Sequence, residues 1–179
     1  MVSSLKLVTL CTGNVARSVM LGYMLESLAK AGELGWRVRT AGTHVVEGSA
    51  MSSRTRDALL ALDDLGDHHY GGHRSHQLTS DDVGWADAIF TSEAGHVSFV
   101  RANFPGATLK TASLHQFVRE APLDLVFREQ LRFVASREPL AFFDVDDPAG
   151  GDQATYDACA TKLWELAQVL SVIVAEDER

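Results

Sequence analysis

The residues with the clearest chemical potential lie in one short segment, Cys11-Thr12-Gly13-Asn14-Val15-Ala16-Arg17-Ser18. The segment carries a thiol at its first position and a guanidinium and a hydroxyl at its end. An ionised thiol is a strong nucleophile, and the planar guanidinium of Arg17 can bind two phosphate oxygens at once. The Ser18 hydroxyl can donate a hydrogen bond to the sulfur and stabilise it as a leaving group. These residue types favour attack by Cys11 on phosphorus.

The elements predicted on either side place this segment where anions bind. Leu5–Leu10 is a short apolar run typical of a buried strand. The residues after Arg17 have the apolar spacing of a helix, at Val19, Met20, Tyr23, Met24 and Leu28. The first N–H groups of a helix are unpaired and its dipole is positive there. The sequence therefore predicts a phosphate-binding loop formed by Thr12, Gly13, Asn14, Val15, Ala16, Arg17 and Ser18, in which Gly13 and Asn14 tolerate unusual backbone angles.

Strands and helices alternate along the rest of the chain. Further strands are predicted at 36–40, 86–91 and 107–111, and helices at 54–62 (capped by Ser52 or Ser53), 94–103 and 155–175. Residues 119–140 mix apolar residues with four arginines and are predicted to be a helical insertion. We expect one α/β domain over 1–179, with a four-stranded parallel sheet flanked by helices on both faces.

Composition and charge narrow the function classes. The chain has 179 residues, enough for a hydrophobic core without disulfides or metals. The net charge is -8, from 16 basic and 24 acidic residues, which argues against nucleic-acid and anionic-membrane partners. The longest apolar stretch, Leu166–Ala175, is too short to cross a bilayer, and no signal peptide is recognised. We expect a cytoplasmic protein in which Cys11 and Cys159 are free thiols.

The segment Cys11–Ser18 resembles the low-molecular-weight protein tyrosine phosphatase family, whose loop is Cys-x5-Arg-Ser with Gly-Asn inside it. Three further segments match the family's motifs: Thr40-Ala41-Gly42-Thr43, His73-Arg74-Ser75, and Asp144 to Gly150 around Asp147-Pro148. The resemblance covers nearly the whole chain apart from 119–140. The fold is also shared with thioredoxin-type arsenate reductases.

The resemblance implies roles for residues outside the loop. Asp147, directly before Pro148, takes the position of the family's general acid, which protonates the leaving oxygen and then activates water. Asp146 is the rival, and a merely solvated acidic turn is the alternative for both. The residues implied to support the loop are Asn14, Ser18, Thr40 and His73.

Three departures from the family pattern limit the substrate assignment. Ala16 replaces a second cysteine of the loop, so the protective disulfide with Cys11 seen in many members is unavailable, and Cys159 is expected to be a buried packing residue. Ala149 and Gly150 stand where phosphotyrosine-specific members have aromatics. Val15 is apolar where relatives that prefer phosphoarginine have Thr, which disfavours that substrate.

The prediction is a phosphomonoester hydrolase of the protein-tyrosine-phosphatase type that acts through a cysteinyl-phosphate intermediate. Its catalytic residues are Cys11, Arg17 and Asp147. Phosphorylated proteins or small phosphomonoesters are the expected substrates, and phosphate, sulfate or arsenate the expected site ligands. No cofactor is expected, and no metal, because the histidines at 68, 69, 73 and 76 lack a cysteine pair or an HExxH pattern. A small-thiol arsenate reductase and a phosphate-binding module without catalysis stay open as alternatives.

Overall fold

A four-stranded parallel sheet forms the centre of the molecule. The computed structural model describes residues 4–66 and 68–177, so residues 1–3, 67 and 178–179 of the predicted domain lie outside the described residues. The strands are β1 (Lys6–Cys11), β2 (Arg37–Gly42), β3 (Ala88–Thr91) and β4 (Thr111–Ser113). Their order is β2-β1-β3-β4 and every pairing is parallel. The predicted α/β class and four-stranded sheet are confirmed.

Helices connect the strands and cover the sheet. They are α1 (Arg17–Ala31), α2 (Ser53–Leu60), α3 (Ser80–Trp85), α4 (Ala94–Asn103), α5 (Leu114–Glu120), α6 (Phe127–Ala135) and α7 (Gln153–Asp177). Ser52 caps α2 by accepting a hydrogen bond from the backbone of Thr55, which confirms one of the two predicted caps. The bounds of α4 match the prediction of 94–103.

The predicted fourth strand at 107–111 is wrong for most of its length. Residues Pro105–Lys110 form a 3-10 turn, and the extended strand β4 begins only at Thr111. The turn is fixed by Pro105 at its first position and by buried Ala107, which packs in the smaller core cluster. Extended backbone appears where β4 can pair with β3, from Thr111 opposite Ile89 onwards.

The segment at 119–140 contains the end of α5 and all of α6, with non-helical residues at 121–126 and 136–140. Phe127, Leu131 and Val134 of α6 belong to the main hydrophobic core. Its arginines face outward: Arg128 and Arg132 are exposed. That this segment is an insertion relative to the family stays a prediction.

The last helix, α7, packs along the core beside α1 and α2. Tyr156, Ala160, Leu163, Ala167 and Leu170 form its buried face, as the sequence pattern predicted. Its stretch Gln153–Ala175 is long and apolar enough to cross a membrane by length and composition alone. The contacts of its buried face with the core identify it as a core helix of this fold.

The carboxyl ends of β1 and β3 lie side by side in this topology. Leu10 pairs with Thr91, so the loop after Cys11 and the turn after Thr91 leave the same edge of the sheet next to each other. In α/β folds this edge is the usual place for ligands. The predicted site residues Cys11 and Arg17 lie at this edge, at the end of β1 and the beginning of α1.

Candidate active site

The loop between β1 and α1 turns back on itself in a tight arc. Asn14 has a φ of 53°, a left-handed conformation that Asn tolerates better than most residues. The end of β2 supports the arc, because the backbone N–H groups of Thr43 and His44 donate to the carbonyl oxygens of Cys11 and Thr12. Gly42 makes this close approach possible, since a Cβ at this position would collide with the carbonyl oxygen of Thr12.

Asn14 is the centre of the network that supports the loop. Its side-chain amide donates to the hydroxyl oxygens of Ser18 at 2.8 Å and Thr40 at 2.9 Å. Its side-chain oxygen accepts from the backbone N–H of His76 at 2.9 Å. The His73 Nε2 donates to the Asn14 carbonyl oxygen at 2.8 Å. The structure thus brings together the four residues that the family resemblance implied, and all of them act on one loop.

The histidine in this network is held in its neutral form. Burial lowers the pKa of His73 and Arg74 lowers it further, and both outweigh the hydrogen bond to the Asn14 carbonyl, which raises it. A neutral imidazole has one N–H, and that one is used on Asn14. The role of His73 is therefore to hold the loop.

Among residues 4–66 and 68–177 no group of three or more His, Cys, Asp or Glu side chains has the arrangement of a metal site.

The thiol of Cys11 lies at the base of the loop and is almost fully buried. Its sulfur is 3.0 Å from the hydroxyl oxygen of Ser18. Because Asn14 already donates to that oxygen, the Ser18 hydroxyl hydrogen is free to point at the sulfur. Ser18 is fixed in turn by Thr9, whose hydroxyl donates to the Ser18 carbonyl oxygen at 2.7 Å.

The Arg17 guanidinium is buried and makes three polar contacts. Only 2% of its side chain is exposed. One terminal nitrogen, Nη1, donates to the carboxylate of Glu93 and to the carbonyl oxygen of Val145, the latter at 3.0 Å. The other, Nη2, donates to Oδ2 of Asp147 at 2.8 Å. Burial lowers the pKa of Arg17, but the Glu93 and Asp147 carboxylates outweigh it and raise the pKa, so this group is always cationic.

The segment from Asp144 to Asp147 is hydrogen-bonded to the residues that follow β3. The carboxylate of Asp144 accepts from the backbone N–H of Ala94 at 2.7 Å, at the beginning of α4. The backbone N–H of Val145 donates to the carbonyl oxygen of Ser92 at 2.8 Å. These contacts place Asp147 against Arg17. Its neighbour Asp146 is exposed and makes no hydrogen bond or ion pair within the described part of the chain, which favours Asp147 over Asp146 as the residue that works at this site.

The site contains two side chains that the sequence reasoning missed, Glu93 and His96. Glu93 binds Arg17, and the His96 Nε2 lies 2.9 Å from the hydroxyl oxygen of Thr12. The sequence held one indication of their role: Glu93 and His96 come two and five positions after the end of β3 at Thr91, and the carboxyl end of a strand adjacent to β1 must lie beside the loop. Their spacing forms no familiar motif, so this indication alone did not single them out.

The second thiol, that of Cys159 on α7, is a core residue as predicted. It is buried within the main hydrophobic cluster and is not in a disulfide, and neither is Cys11. Burial raises the pKa of Cys159 to about 12. Its thiol therefore stays protonated at neutral pH and is a poor nucleophile.

Comparison with known proteins agrees with this geometry. The model of the family described as "Low molecular weight phosphotyrosine protein phosphatase" matches residues 6–126. The chain belongs to this family. The match includes the whole loop from Cys11 to Ser18, the supporting residues Thr40 and His73, and Glu93.

Individual relatives of the family resemble the chain over most of its length. A protein-arginine-phosphatase from Geobacillus stearothermophilus is 33% identical over 166 residues, which is 93% of each chain. The solved structure of an arginine phosphatase from that organism has a TM-score of 0.75 and 27% identity, covering 97% of this chain and 94% of the other. A low-molecular-weight protein tyrosine phosphatase from T. tengcongensis has the same TM-score at 23% identity, covering 93% and 97%, and shows the shared fold. The names of these relatives thus include both an arginine phosphatase and a tyrosine phosphatase.

Proposed function

We propose that this protein hydrolyses phosphorylated side chains of proteins through a cysteinyl-phosphate intermediate on Cys11. The observation that carries the proposal is the meeting of three groups at one edge of the sheet. Cys11 lies at the base of the loop with a hydroxyl on its sulfur, Arg17 closes the loop, and Asp147 is held 2.8 Å from the guanidinium. Binding phosphate alone requires neither the thiol nor the acid.

In the first step the Cys11 thiolate attacks phosphorus. A P–S bond forms and the bond from phosphorus to the leaving oxygen breaks, while the loop N–H groups and Arg17 stabilise the negative charge on the phosphoryl oxygens. Asp147 gives its proton to the leaving oxygen. The Glu93 carboxylate and the Val145 carbonyl hold one side of the Arg17 guanidinium, so its orientation is fixed before substrate binds.

The contact between Arg17 and Asp147 places the acid beside the cation that binds phosphate. In the free protein, Arg17 and the backbone N–H of Ala149 donate to the two oxygens of Asp147. A bound phosphoryl group accepts hydrogen bonds from the same guanidinium and therefore competes with the carboxylate for it. Substrate binding thus frees Asp147 to face the leaving oxygen.

In the second step a water molecule attacks phosphorus and breaks the P–S bond. Asp147, deprotonated by the first step, takes a proton from this water. The sulfur leaves as a thiolate, which the Ser18 hydroxyl stabilises from 3.0 Å. Phosphate is released and the free form returns, with Asp147 again bound to Arg17.

For the substrate we propose a phosphotyrosine-type ester, with phosphoarginine as the second candidate. Val15, a partly exposed residue of the loop, carries an apolar side chain and no hydroxyl, which supports an aromatic leaving group over a guanidine. The second candidate is supported by the name of the 33% identical relative, a protein-arginine-phosphatase. Ala149 follows Pro148 and is exposed, and it supplies no aromatic ring against which a phenyl group could pack.

Two peptides of the same sequence, one with phosphotyrosine and one with phosphoarginine, test the assignment. We expect the wild type to release phosphate from the phosphotyrosine peptide with the higher kcat/KM, and Cys11→Ser to release none from either. Val15→Thr should shift the ratio towards phosphoarginine, and Val15→Ala is the control for the lost methyl groups. A wild type that prefers phosphoarginine would overturn the substrate assignment. If the wild type hydrolysed neither peptide and instead reduced arsenate in the presence of a thiol, the proposal that it is a phosphatase would be overturned.

A further inference from the structure

Thr12, the residue after the nucleophile, contacts His96 of α4. The Thr12 hydroxyl oxygen and the His96 Nε2 are 2.9 Å apart. Thr12 is exposed, whereas only 5% of the His96 side chain is exposed. The reaction steps above give neither side chain a function.

The surroundings of His96 decide which atom donates in this contact. Burial lowers the pKa of His96 to about 4, although Glu93 and Asp147 raise it, so the ring is neutral and has one N–H. The other ring nitrogen, Nδ1, is buried and has no hydrogen-bond partner in the described residues. A hydrogen there would be a buried donor without an acceptor, which is costly. Nε2 faces Thr12 and lies 3.8 Å from the Glu93 carboxylate, whose charge attracts the hydrogen.

The hydrogen therefore lies on Nε2, and His96 donates to the Thr12 oxygen. Because this hydrogen bond uses a lone pair of the hydroxyl, the Thr12 hydrogen is free to be donated elsewhere. Within residues 4–66 and 68–177 the Thr12 hydroxyl contacts no other polar atom at hydrogen-bond distance. The Glu93 carboxylate, which binds the Arg17 guanidinium, lies 3.8 Å from His96 Nε2, so the Thr12–His96 contact is close to the side chain that closes the loop.

We propose that the Thr12 hydroxyl, oriented by His96, donates a hydrogen bond to a phosphoryl oxygen of the bound substrate. Thr12 then contributes its side chain in addition to its place in the loop, and His96 is a positioning residue that acts through it. The inference rests on the proposed function in that both place a phosphoryl group above Cys11. Its test uses the binding of inorganic phosphate, which requires no turnover.

Calorimetric titration of the full chain with inorganic phosphate measures the contact. Thr12→Val should weaken phosphate binding about 10-fold, the usual effect of one hydrogen bond to a charged group, and raise KM for a small aryl phosphate by a similar factor. Thr12→Ser keeps the hydroxyl and should bind phosphate as the wild type does. Unchanged phosphate affinity in Thr12→Val would overturn the proposal, whether or not the protein is a phosphatase.

A double-mutant cycle tests the positioning role of His96. His96→Leu should weaken phosphate binding several-fold, and His96→Gln, whose amide N–H can replace Nε2–H, should restore most of it. The double variant with Thr12→Val should bind no worse than Thr12→Val alone, because His96 acts through that hydroxyl. If the losses of phosphate affinity in the two single variants multiplied in the double variant, the positioning role would be contradicted. It would also be contradicted if His96→Gln bound phosphate as weakly as His96→Leu while the two variants had equal thermal stability.

Discussion

The side chains of Arg17 and Asp147 are joined at 2.8 Å although they are 130 positions apart in the chain. In the free protein, the Arg17 guanidinium, which is proposed to bind phosphate, donates to the carboxylate of Asp147, which is proposed to act as the acid. The phosphoryl group of the substrate and the Asp147 carboxylate therefore compete for one cation.

Replacement of the acid should affect substrates according to their leaving groups. Asp147→Asn removes the proton donor, and we expect kcat to fall by about 100-fold to 10,000-fold for alkyl phosphates. Aryl phosphates, whose leaving oxygen needs the proton less, should be slowed less. Steady-state kinetics on one alkyl and one aryl phosphate measure the difference. Asp146→Asn is the matched control, and a larger loss in that variant would move the acid to Asp146.

Glu93 should affect both stability and turnover through Arg17. Glu93→Gln keeps the shape of the side chain but removes the charge that faces the buried guanidinium, so we expect a loss of about 1–3 kcal/mol in the free energy of unfolding. A less firmly held Arg17 should also lower kcat/KM for an aryl phosphate. Urea denaturation and kinetics measure the two effects. Glu129→Gln, at an exposed position of α6, should change neither, and equal stability of the two variants would show that Glu93 contributes nothing to the burial of Arg17.

Two variants of Asn14 separate its backbone conformation from its hydrogen bonds. Both Asn14→Ala and Asn14→Gly lose the bonds to Ser18, Thr40 and His76, and kcat should fall to the same low level in both. Only Gly adopts the positive φ of 53° without strain, so the Gly variant should be more stable by about 1 kcal/mol. If Asn14→Gly retained wild-type kcat, the side-chain network would have no part in catalysis.

The ion pairs of His76 predict a pH dependence of stability. Burial lowers the pKa of His76, but hydrogen bonds and charges from Asp82 and Glu47 outweigh it, and the pKa is raised. Folding thus favours the protonated ring, and its contribution is complete below the unfolded pKa of about 6.5. It is lost as the pH rises through the folded pKa. Asp82 also forms an ion pair with Arg39.

The difference between wild type and His76→Gln isolates this contribution from the other histidines. We expect the wild type to be more stable than His76→Gln at pH 6, with the gap narrowing at pH 8.5. Denaturant unfolding at both pH values measures it. A gap that widens with rising pH would show that the ring is held neutral in the folded protein.

The sequence predicts those parts of the site that are contiguous in the chain. Cys11, Arg17 and Ser18 lie within one segment between a predicted strand and a predicted helix, and this local context is enough to predict their chemistry. Asp147 is recognisable because Pro148 follows it in a pattern that the family shares. Glu93 and His96 were missed because their importance arises only when β3 pairs with β1, which is a tertiary contact. The strand expected at 107–111 fails for a related reason: its extended form depends on pairing with β3, which begins at Thr111.

The central claim is that Cys11 carries the phosphoryl group during turnover. Rapid acid quenching of the reaction with a radiolabelled aryl phosphate, followed by peptide mapping, measures this directly. We predict that the label appears on the peptide containing Cys11 within the first turnover, decays as phosphate is released, and is absent in Cys11→Ala. Hydrolysis that proceeds in Cys11→Ala, or a label that appears on another residue, would contradict the account.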